Sequence, residues 1–360
     1  MYFREQKLFM SKQEKINNFD PNGLGDANNN IYGLPFTVDE AEVVILPVPW
    51  EVTVSYSGGT ALGPQVVYNA SYQVDLFDPK IADAWKIGLA MDSISDDIAS
   101  RSESLRRKAE SYIELLQEGE NPESNHEMED IRKLINSECV KMNNWVKEKS
   151  LSFIDKNKIV ALLGGDHSTP LGLMQALAEK NNSFAILQID AHADLRDAYE
   201  GFEYSHASIM FNALKIPQVS KLVQVGIRDY CQAEYDLIKN SNGRIHTFFD
   251  RDIKHRQLDG ATWTTICNDI IAQLPNDIYL SFDIDGLDPK LCPSTGTPVA
   301  GGFEFEQILM LIEKIVDSGK RIMAFDINEV APGGDEWDAN VGARLLYRIS
   351  NMVAKSNGRI

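Results

Sequence analysis

Asp190, His192 and Asp194 stand at alternate positions in Ile189-Asp190-Ala191-His192-Ala193-Asp194, at the end of an apolar run over residues 183–188. Continued as an ideal strand, that spacing puts all three side chains on one face. A metal site asks instead that the chain curl as it leaves the sheet, so that oxygens and an imidazole converge on one point. Carboxylates with imidazole suit a hard to borderline divalent ion such as Mn2+, and the absence of thiolates argues against a closed structural zinc site. An acidic turn that merely solvates itself would explain this triplet taken alone. Other clusters weigh against that reading. Gly164-Gly165-Asp166-His167-Ser168 places His167 where a strand becomes a helix. Ser281-Phe282-Asp283-Ile284-Asp285-Gly286-Leu287-Asp288-Pro289 offers carboxylates two apart, and Asp326-Ile327-Asn328-Glu329-Val330-Ala331-Pro332 closes the set. In open α/β sheets, ligands bind at the carboxyl ends of strands, where all these motifs fall. Two histidines and four aspartates suit two ions bridged by carboxylates, roughly 3.5–4 Å apart in hydrolytic two-metal sites. Four carboxylates also balance two dications, whereas the same cluster without a cation would repel itself.

The elements that must position these residues follow from hydrophobic period. Strands are predicted at 42–50, 86–92, 158–163, 184–189, 221–226, 244–249, 278–283 and 321–326. Helices are predicted at 65–71, 168–180, 232–240, 262–273, 305–318 and 340–355, with two more inside 101–149 broken at 119–125. Such alternation implies right-handed crossovers and a parallel sheet covered on both faces, a three-layer α/β/α fold with a mainly parallel sheet of about eight strands. Residues 1–34 read as a polar N-terminal extension, loosely held and with room for one short helix; 35–360 read as a single domain. The charged 101–149 segment reads as solvated helices without chemistry of their own. The Gly-rich stretch 55–64 precedes a helix, but it lacks both GxGxxG and the lysine of a P-loop, so nucleotide binding is not expected.

Composition narrows the function classes. The chain has 360 residues, 43% hydrophobic and 24% charged, with a formal net charge of −18. That acidity disfavours nucleic acid and anionic membrane surfaces and tolerates cationic substrates. Cys139, Cys231, Cys267 and Cys292 show no CxxC spacing and read as reduced thiols. No apolar run is long enough for a transmembrane helix, and residues 1–6 lack the apolar core of a signal peptide. A cytoplasmic location is the expectation.

The four motifs together resemble the ureohydrolase family of arginases and agmatinases. GGDHS, DAHAD, SFDIDGLDP and Glu329 in its D-x-x-E-V context carry the resemblance, with SYSGGTALGP and Thr295-Gly296-Thr297-Pro298 in support. Residues 194–197 and 204–207 are closest to agmatinase-type members. The resemblance implies the arginase/deacetylase-like fold and two Mn2+ ions. One would be held by His167, Asp190, Asp194 and Asp283, the other by Asp190, His192, Asp283 and Asp285, with Asp190 and Asp283 bridging. It implies that His206 is a proton shuttle, a role that suits a group titrating near the working pH, and that Glu329 pairs with a substrate guanidinium. Asp166 and Asp288 are expected in turns or behind the ligands. His206 is followed by Ala207 where many relatives have Gly, which touches loop shape and leaves the imidazole. Arg196 stands where arginine-specific members use an Asn-containing loop; pairing with a nearby acid such as Asp197 is expected in preference to holding a substrate carboxylate. The expected activity is Mn-dependent hydrolysis of a small cationic guanidino substrate to urea and an amine, agmatine to putrescine foremost. Guanidinobutyrate, aminopropylagmatine, arginine and a metal-binding non-catalytic homologue are the alternatives. Family relatives form trimers or hexamers, so a homo-oligomer is expected.

Overall fold

The computed structural model describes residues 10–360. The first part of the N-terminal extension, with the stretch read for a signal peptide, lies outside the described residues. Eight parallel strands form one sheet: β1 (Val43–Val48), β2 (Leu89–Met91), β3 (Ile159–Gly164), β4 (Phe184–Ile189), β5 (Val219–Ile227), β6 (Ile245–Phe249), β7 (Asp277–Asp283) and β8 (Arg321–Asn328). Their order across the sheet is β2-β1-β3-β8-β7-β4-β5-β6. The strands that carry the four motifs, β3, β8, β7 and β4, are therefore contiguous at its centre. Because all run the same way, their carboxyl ends share one edge. That topology is what assembles the site.

Successive strand residues face opposite sides of a sheet. Val43 and Ile45 pack into one core and Val44 and Leu46 into the other, and the same split holds for Leu163 and Leu162 on β3. On the first face lie α2 (Gly63–Ser71), α8 (Asp250–Leu258), α9 (Trp263–Gln273), α10 (Phe305–Asp317) and α11 (Trp337–Ser356). On the second lie α3 (Asp96–Gln117), α4 (His126–Ile154), α5 (Leu171–Lys180), α6 (Ile209–Ala213) and α7 (Gln232–Asn240). This is the three-layer architecture expected. The helices obey local rules. On α10 the residues Ile308, Leu309, Leu311, Ile312, Ile315 and Val316 make a buried stripe at helical spacing. Each such side chain contributes about 1.5–3 kcal/mol on full burial. Ser95 caps α3 by accepting from Ile98 N–H, and Asn125 caps α4 by accepting from Glu127 and Met128. Gly119, at φ 91°, ends α3 within the interruption expected there.

One expectation about elements is corrected. Residues 86–92 do not form one strand; Ala84–Ile87 is a 3-10 turn, Gly88 turns the chain at φ 84°, and only Leu89–Met91 pairs with β1. Helices α6 and α8 were not foreseen. From the extension, α1 (Lys12–Asn18) bears a complete capping box at Ser11 and Glu14, while Ile31, Tyr32 and Leu34 are buried in the core. The Tyr32 hydroxyl donates to the Ala343 carbonyl at 2.8 Å.

Candidate metal centre

The turn after β3 depends on two glycines. A Cβ on Gly164 would sit 1.9 Å from Asn328 Oδ1, and one on Gly165 would sit 2.0 Å from the Trp50 carbonyl. Only glycine lets the ends of β1, β3 and β8 approach so closely. Asp166 then donates its N–H to the Trp50 carbonyl and uses its carboxylate to accept from Ser168 N–H at 2.9 Å. Asp288 likewise accepts from Lys290 N–H at 3.0 Å. Both are turn residues.

His167 follows, buried to 1% exposure. Its Nδ1 lies 3.0 Å from Asp190 Oδ2, 3.0 Å from Asp194 Oδ2 and 3.2 Å from Asp283 Oδ2. Its Nε2 lies 3.0 Å from Ser281 Oγ. Ser281 donates its hydroxyl proton to Asp326 Oδ1 at 3.1 Å, so it accepts from His167 Nε2–H. This assignment of the proton leaves the Nδ1 lone pair facing three carboxylate oxygens, with no aligned hydrogen-bond partner. Lone pairs so arranged fit a shared cation and little else. Asp326, inside β8, is thus not at the strand's end but beneath His167, where Tyr279 OH and Asn328 Nδ2 also donate to it.

Asp190 leaves β4 fully buried. Its Oδ2 accepts from Gln188 Nε2 at 2.8 Å and its Oδ1 from His192 N–H at 2.6 Å. The chain then curls: Asp194 takes a left-handed φ of 54°, which turns its carboxylate back toward His167. His192 Nδ1 stands 2.9 Å from Asp285 Oδ2 and 3.6 Å from Asp190 Oδ1. Asp285 Oδ1 accepts from Ala191 N–H at 3.0 Å, tying β7 to β4, while Asp283 Oδ1 accepts from Asp285 N–H at 2.9 Å. Two sets of donor atoms result, each mutually within 4.8 Å: His167, Asp190 and Asp283, and Asp190, His192 and Asp285. Asp190 belongs to both.

The protonation pattern records the crowding. Burial, then Asp190, pushes Asp194 up to about 7. Burial, then Asp285 and Asp190, holds Asp283 well above the usual carboxylate range. Burial opposes charge on His167 and is outweighed by Asp190, Asp194 and Asp283, which hold its imidazole well above the ordinary value. These directions record like charges crowded together out of water, a cost that a bound cation would relieve.

Glu329 follows β8 in a left-handed conformation, φ 64°. Its N–H donates to the Gly165 carbonyl at 2.8 Å, and its carbonyl accepts from Thr295 Oγ at 2.9 Å. Its Oε1 accepts from His167 N–H at 2.8 Å. Burial, with Asp283 and Asp166 adding to it, holds the carboxyl well above its usual range. His206 stands on the far wall, its ring edge-on to Tyr199 at 6.1 Å. Burial, then the charges of His192 and His167, holds its imidazole down to about 3. That depression depends on positive charge at the two neighbouring imidazoles as well as on burial.

A cavity of about 140 Å³ opens onto His192, Asp194 and His206. Glu329 does not line it and meets the centre through His167. Arg196 does line it, beside an acid as expected, though that acid is Glu234 and not Asp197. Its guanidinium lies over the Tyr199 ring at 4.9 Å and 3.9 Å from Glu234, while Asp197 lies 3.9 Å from Lys215. Sequence reasoning missed Asp229, Tyr230 and Glu234, which follow β5 and complete the cavity. The signal was present: Arg228-Asp229 ends a strand on the edge that gave the other motifs. Glu234 is buried and organises the wall, accepting from Leu195 N–H at 3.0 Å and Cys231 N–H at 2.8 Å.

Fold and site together define an α/β/α hydrolase with a histidine–aspartate centre. The family model described as "Arginase family" matches residues 41–351, and the chain belongs to that family. It is 29% identical over 309 residues to N(1)-aminopropylagmatine ureohydrolase of Thermus thermophilus, covering 86% of this chain and 89% of the relative. It is 27% identical over 334 residues to an agmatinase of Pyrococcus horikoshii, covering 89% and 95%. The crystal structure of agmatine ureohydrolase of Thermoplasma volcanium superposes with a TM-score of 0.68 at 21% identity, over 96% of this chain and 99% of that one. The protein is thus a ureohydrolase. No helix among the described residues is long and apolar enough to cross a membrane.

Proposed function

We propose that this ureohydrolase is a Mn2+-dependent agmatinase, cleaving agmatine to urea and putrescine. The observation that carries the reading is the pair of donor sets sharing Asp190 under a cavity whose mouth bears an acid, Asp229. His167, Asp190, Asp194 and Asp283 would hold one ion, and Asp190, His192, Asp283 and Asp285 the other; oxygen and imidazole donors without thiolate suit Mn2+. When bound, two such ions supply Lewis acidity and a water that ionises near neutral pH.

The chain's own groups do the rest. Glu329, its backbone fixed at N–H and carbonyl and its Oε1 engaged by His167 N–H, orients the guanidinium with its other oxygen, the cation itself favouring the ionised carboxylate that burial disfavours. His206, neutral at rest, accepts the proton released as water adds to the guanidinium carbon. It returns that proton to the alkyl nitrogen; as the C–N bond breaks, the remaining hydroxyl proton of the intermediate follows, so urea and the alkylammonium are released. Asp229, 66% exposed at its side chain, faces the tail of the substrate and supplies the counter-charge for its ammonium group. Tyr230 stacks against Tyr235 and Phe249 beside it, offering an aromatic face to the same cation.

A second reading, aminopropylagmatine, is favoured by the acid and the tyrosine that line this mouth and by the name of the Thermus relative. The reading extends to a cytoplasmic homo-oligomer, a trimer or hexamer, supported by the free state of all four cysteines and by family resemblance. Urea release by Mn2+-loaded protein is the test, measured on agmatine, aminopropylagmatine, guanidinobutyrate and arginine. Greatest turnover of agmatine supports the first reading, and greatest turnover of aminopropylagmatine replaces it with the second. No urea from any of the four rejects both. Asp229→Asn is expected to raise KM for agmatine about two- to fivefold with kcat kept, as loss of an exposed charge pair allows.

A further inference from the structure

The loop between β1 and α2 reaches the centre without supplying a donor to either set. Its residues Val52, Thr53 and Val54 are buried at 0%, 1% and 4% exposure, and Ser55 after them lines the same cavity as His206. What fixes this loop comes largely from α3. Ser102 Oγ accepts from Glu51 N–H at 2.8 Å. One turn on, Arg106 donates from Nη1 to the Val54 carbonyl and, at 3.4 Å, to the Val52 carbonyl, while its Nε pairs with Glu110 at 3.0 Å. The two carbonyls flanking Thr53 are thus held by one planar cation. Farther along, the buried Glu51 carboxylate accepts from Gly59 N–H at 2.7 Å, Ala61 N–H at 2.9 Å and Thr60 Oγ at 3.0 Å.

The His206 side of the contact is held by the same helical hairpin. Asn136 on α4 donates to the Gly201 carbonyl at 3.3 Å and accepts from Glu203 N–H at 2.9 Å. Tyr112 on α3 packs its ring 5.1 Å from Phe202. A Cβ on Gly201 would come 2.9 Å from the Tyr112 hydroxyl. The hairpin therefore grips both loops that border the cavity, at Ser55 and at His206.

We infer that Arg106, clamping the Val52 and Val54 carbonyls from α3, is a positioning residue that sets the place of the His206 imidazole. The inference rests on the ureohydrolase reading for its kinetic consequence alone. Arg106 touches neither substrate nor donor set; it acts through the loop of residues 52–55. A misplacement of about 1 Å in such a group costs on the order of 10²-fold in rate. Arg106→Met keeps the aliphatic stem and removes the fork, leaving two buried carbonyls unpaired. Arg106→Lys restores one donor.

The test combines a double-mutant cycle with hydrogen–deuterium exchange on Mn2+-loaded protein. Arg106→Met is expected to lower kcat by about 10- to 100-fold while KM changes less than about threefold. In a His206→Ala background it should cost no further kcat, because the group it positions is gone. Amides of 52–61 and 199–208 should exchange faster in Arg106→Met and return toward wild type in Arg106→Lys. Losses that multiply in the double variant, or exchange in both loops unchanged in Arg106→Met, would overturn the assignment. The exchange arm stands even if no guanidine is hydrolysed, so failure of the substrate reading and failure of the clamp are told apart. Should Arg106→Met not fold, Arg106→Lys carries the same comparison, with a smaller expected drop of about three- to tenfold and the same absence of further loss beside His206→Ala.

Discussion

Two residues of the candidate centre, Asp194 and Glu329, occupy left-handed backbone at φ 54° and 64°. For non-glycine residues such conformations cost of order 1–3 kcal/mol each and persist only where surroundings over-determine them. Here Glu329 is held at N–H, carbonyl and carboxylate alike. Glu329→Gln keeps an oxygen for His167 N–H and loses the charge facing a guanidinium. It is expected to lower kcat/KM by roughly 10- to 100-fold, as a charged hydrogen bond of about 1.5–3 kcal/mol implies, with Mn2+ stoichiometry unchanged. His206 gives a pH prediction. Its folded value is about 3 against 6.5 for a free imidazole, so between these limits the unfolded chain binds the extra proton. Its burial therefore costs stability that grows as pH falls from 6.5 toward 3. The melting temperature of His206→Ala relative to wild type should thus improve between about pH 7.5 and pH 5; a difference that stays constant would contradict the buried, neutral imidazole. The alternation of Asp190, His192 and Asp194 was legible because it is local. The partners of Arg196 were not, because Tyr199 and Glu234 meet it across a loop and from α7, and no spacing encodes that.

At the scale of elements, the long periodic segments were readable and the short ones were not. Helix α6 is a five-residue piece, too brief to show a 3.6-residue period. Helix α8 buries only Asp250 and Ile253, and its Leu258 is 84% exposed, so no apolar stripe marks it. Strand β2 shrank because Gly88 turns the chain where the apolar run alone suggested continuity. The charged helical pair read as solvated does carry solvated faces, yet Ser102, Arg106 and Asn136 on it grip the loops around His206. A sequence pattern cannot separate a cation that meets water from one that meets a carbonyl. The Gly-Gly turn makes a sharper prediction. Gly165→Ala drives a methyl into the Trp50 backbone, where nothing flexible can yield. Chemical denaturation is expected to show a loss of about 2 kcal/mol or more, or no folded protein. A loss below about 0.5 kcal/mol would mean the strand ends are looser than the packing here.

For the whole molecule, strand order matters more than any single element. Four sequence-distant motifs reach one edge because β3, β8, β7 and β4 are neighbours. Sequence alternation revealed a parallel sheet but not that order, which crossovers between distant strands determine. The assembled edge concentrates buried carboxylates in a chain already at −18, so divalent metal should act as a structural ligand of the fold. At about 1,000-fold excess over Kd, metal bound only by the native state adds about 4 kcal/mol, and chelation should lower the melting temperature by several degrees. Equal melting with and without chelator would argue against the site. The most direct measurement is anomalous diffraction at the manganese edge from crystals soaked in Mn2+. Two peaks are predicted: one among His167, Asp190, Asp194 and Asp283, the other among Asp190, His192, Asp283 and Asp285, with the second lost in His192→Ala. A single peak at saturating Mn2+, or two that share neither Asp190 nor Asp283, would contradict the dinuclear centre.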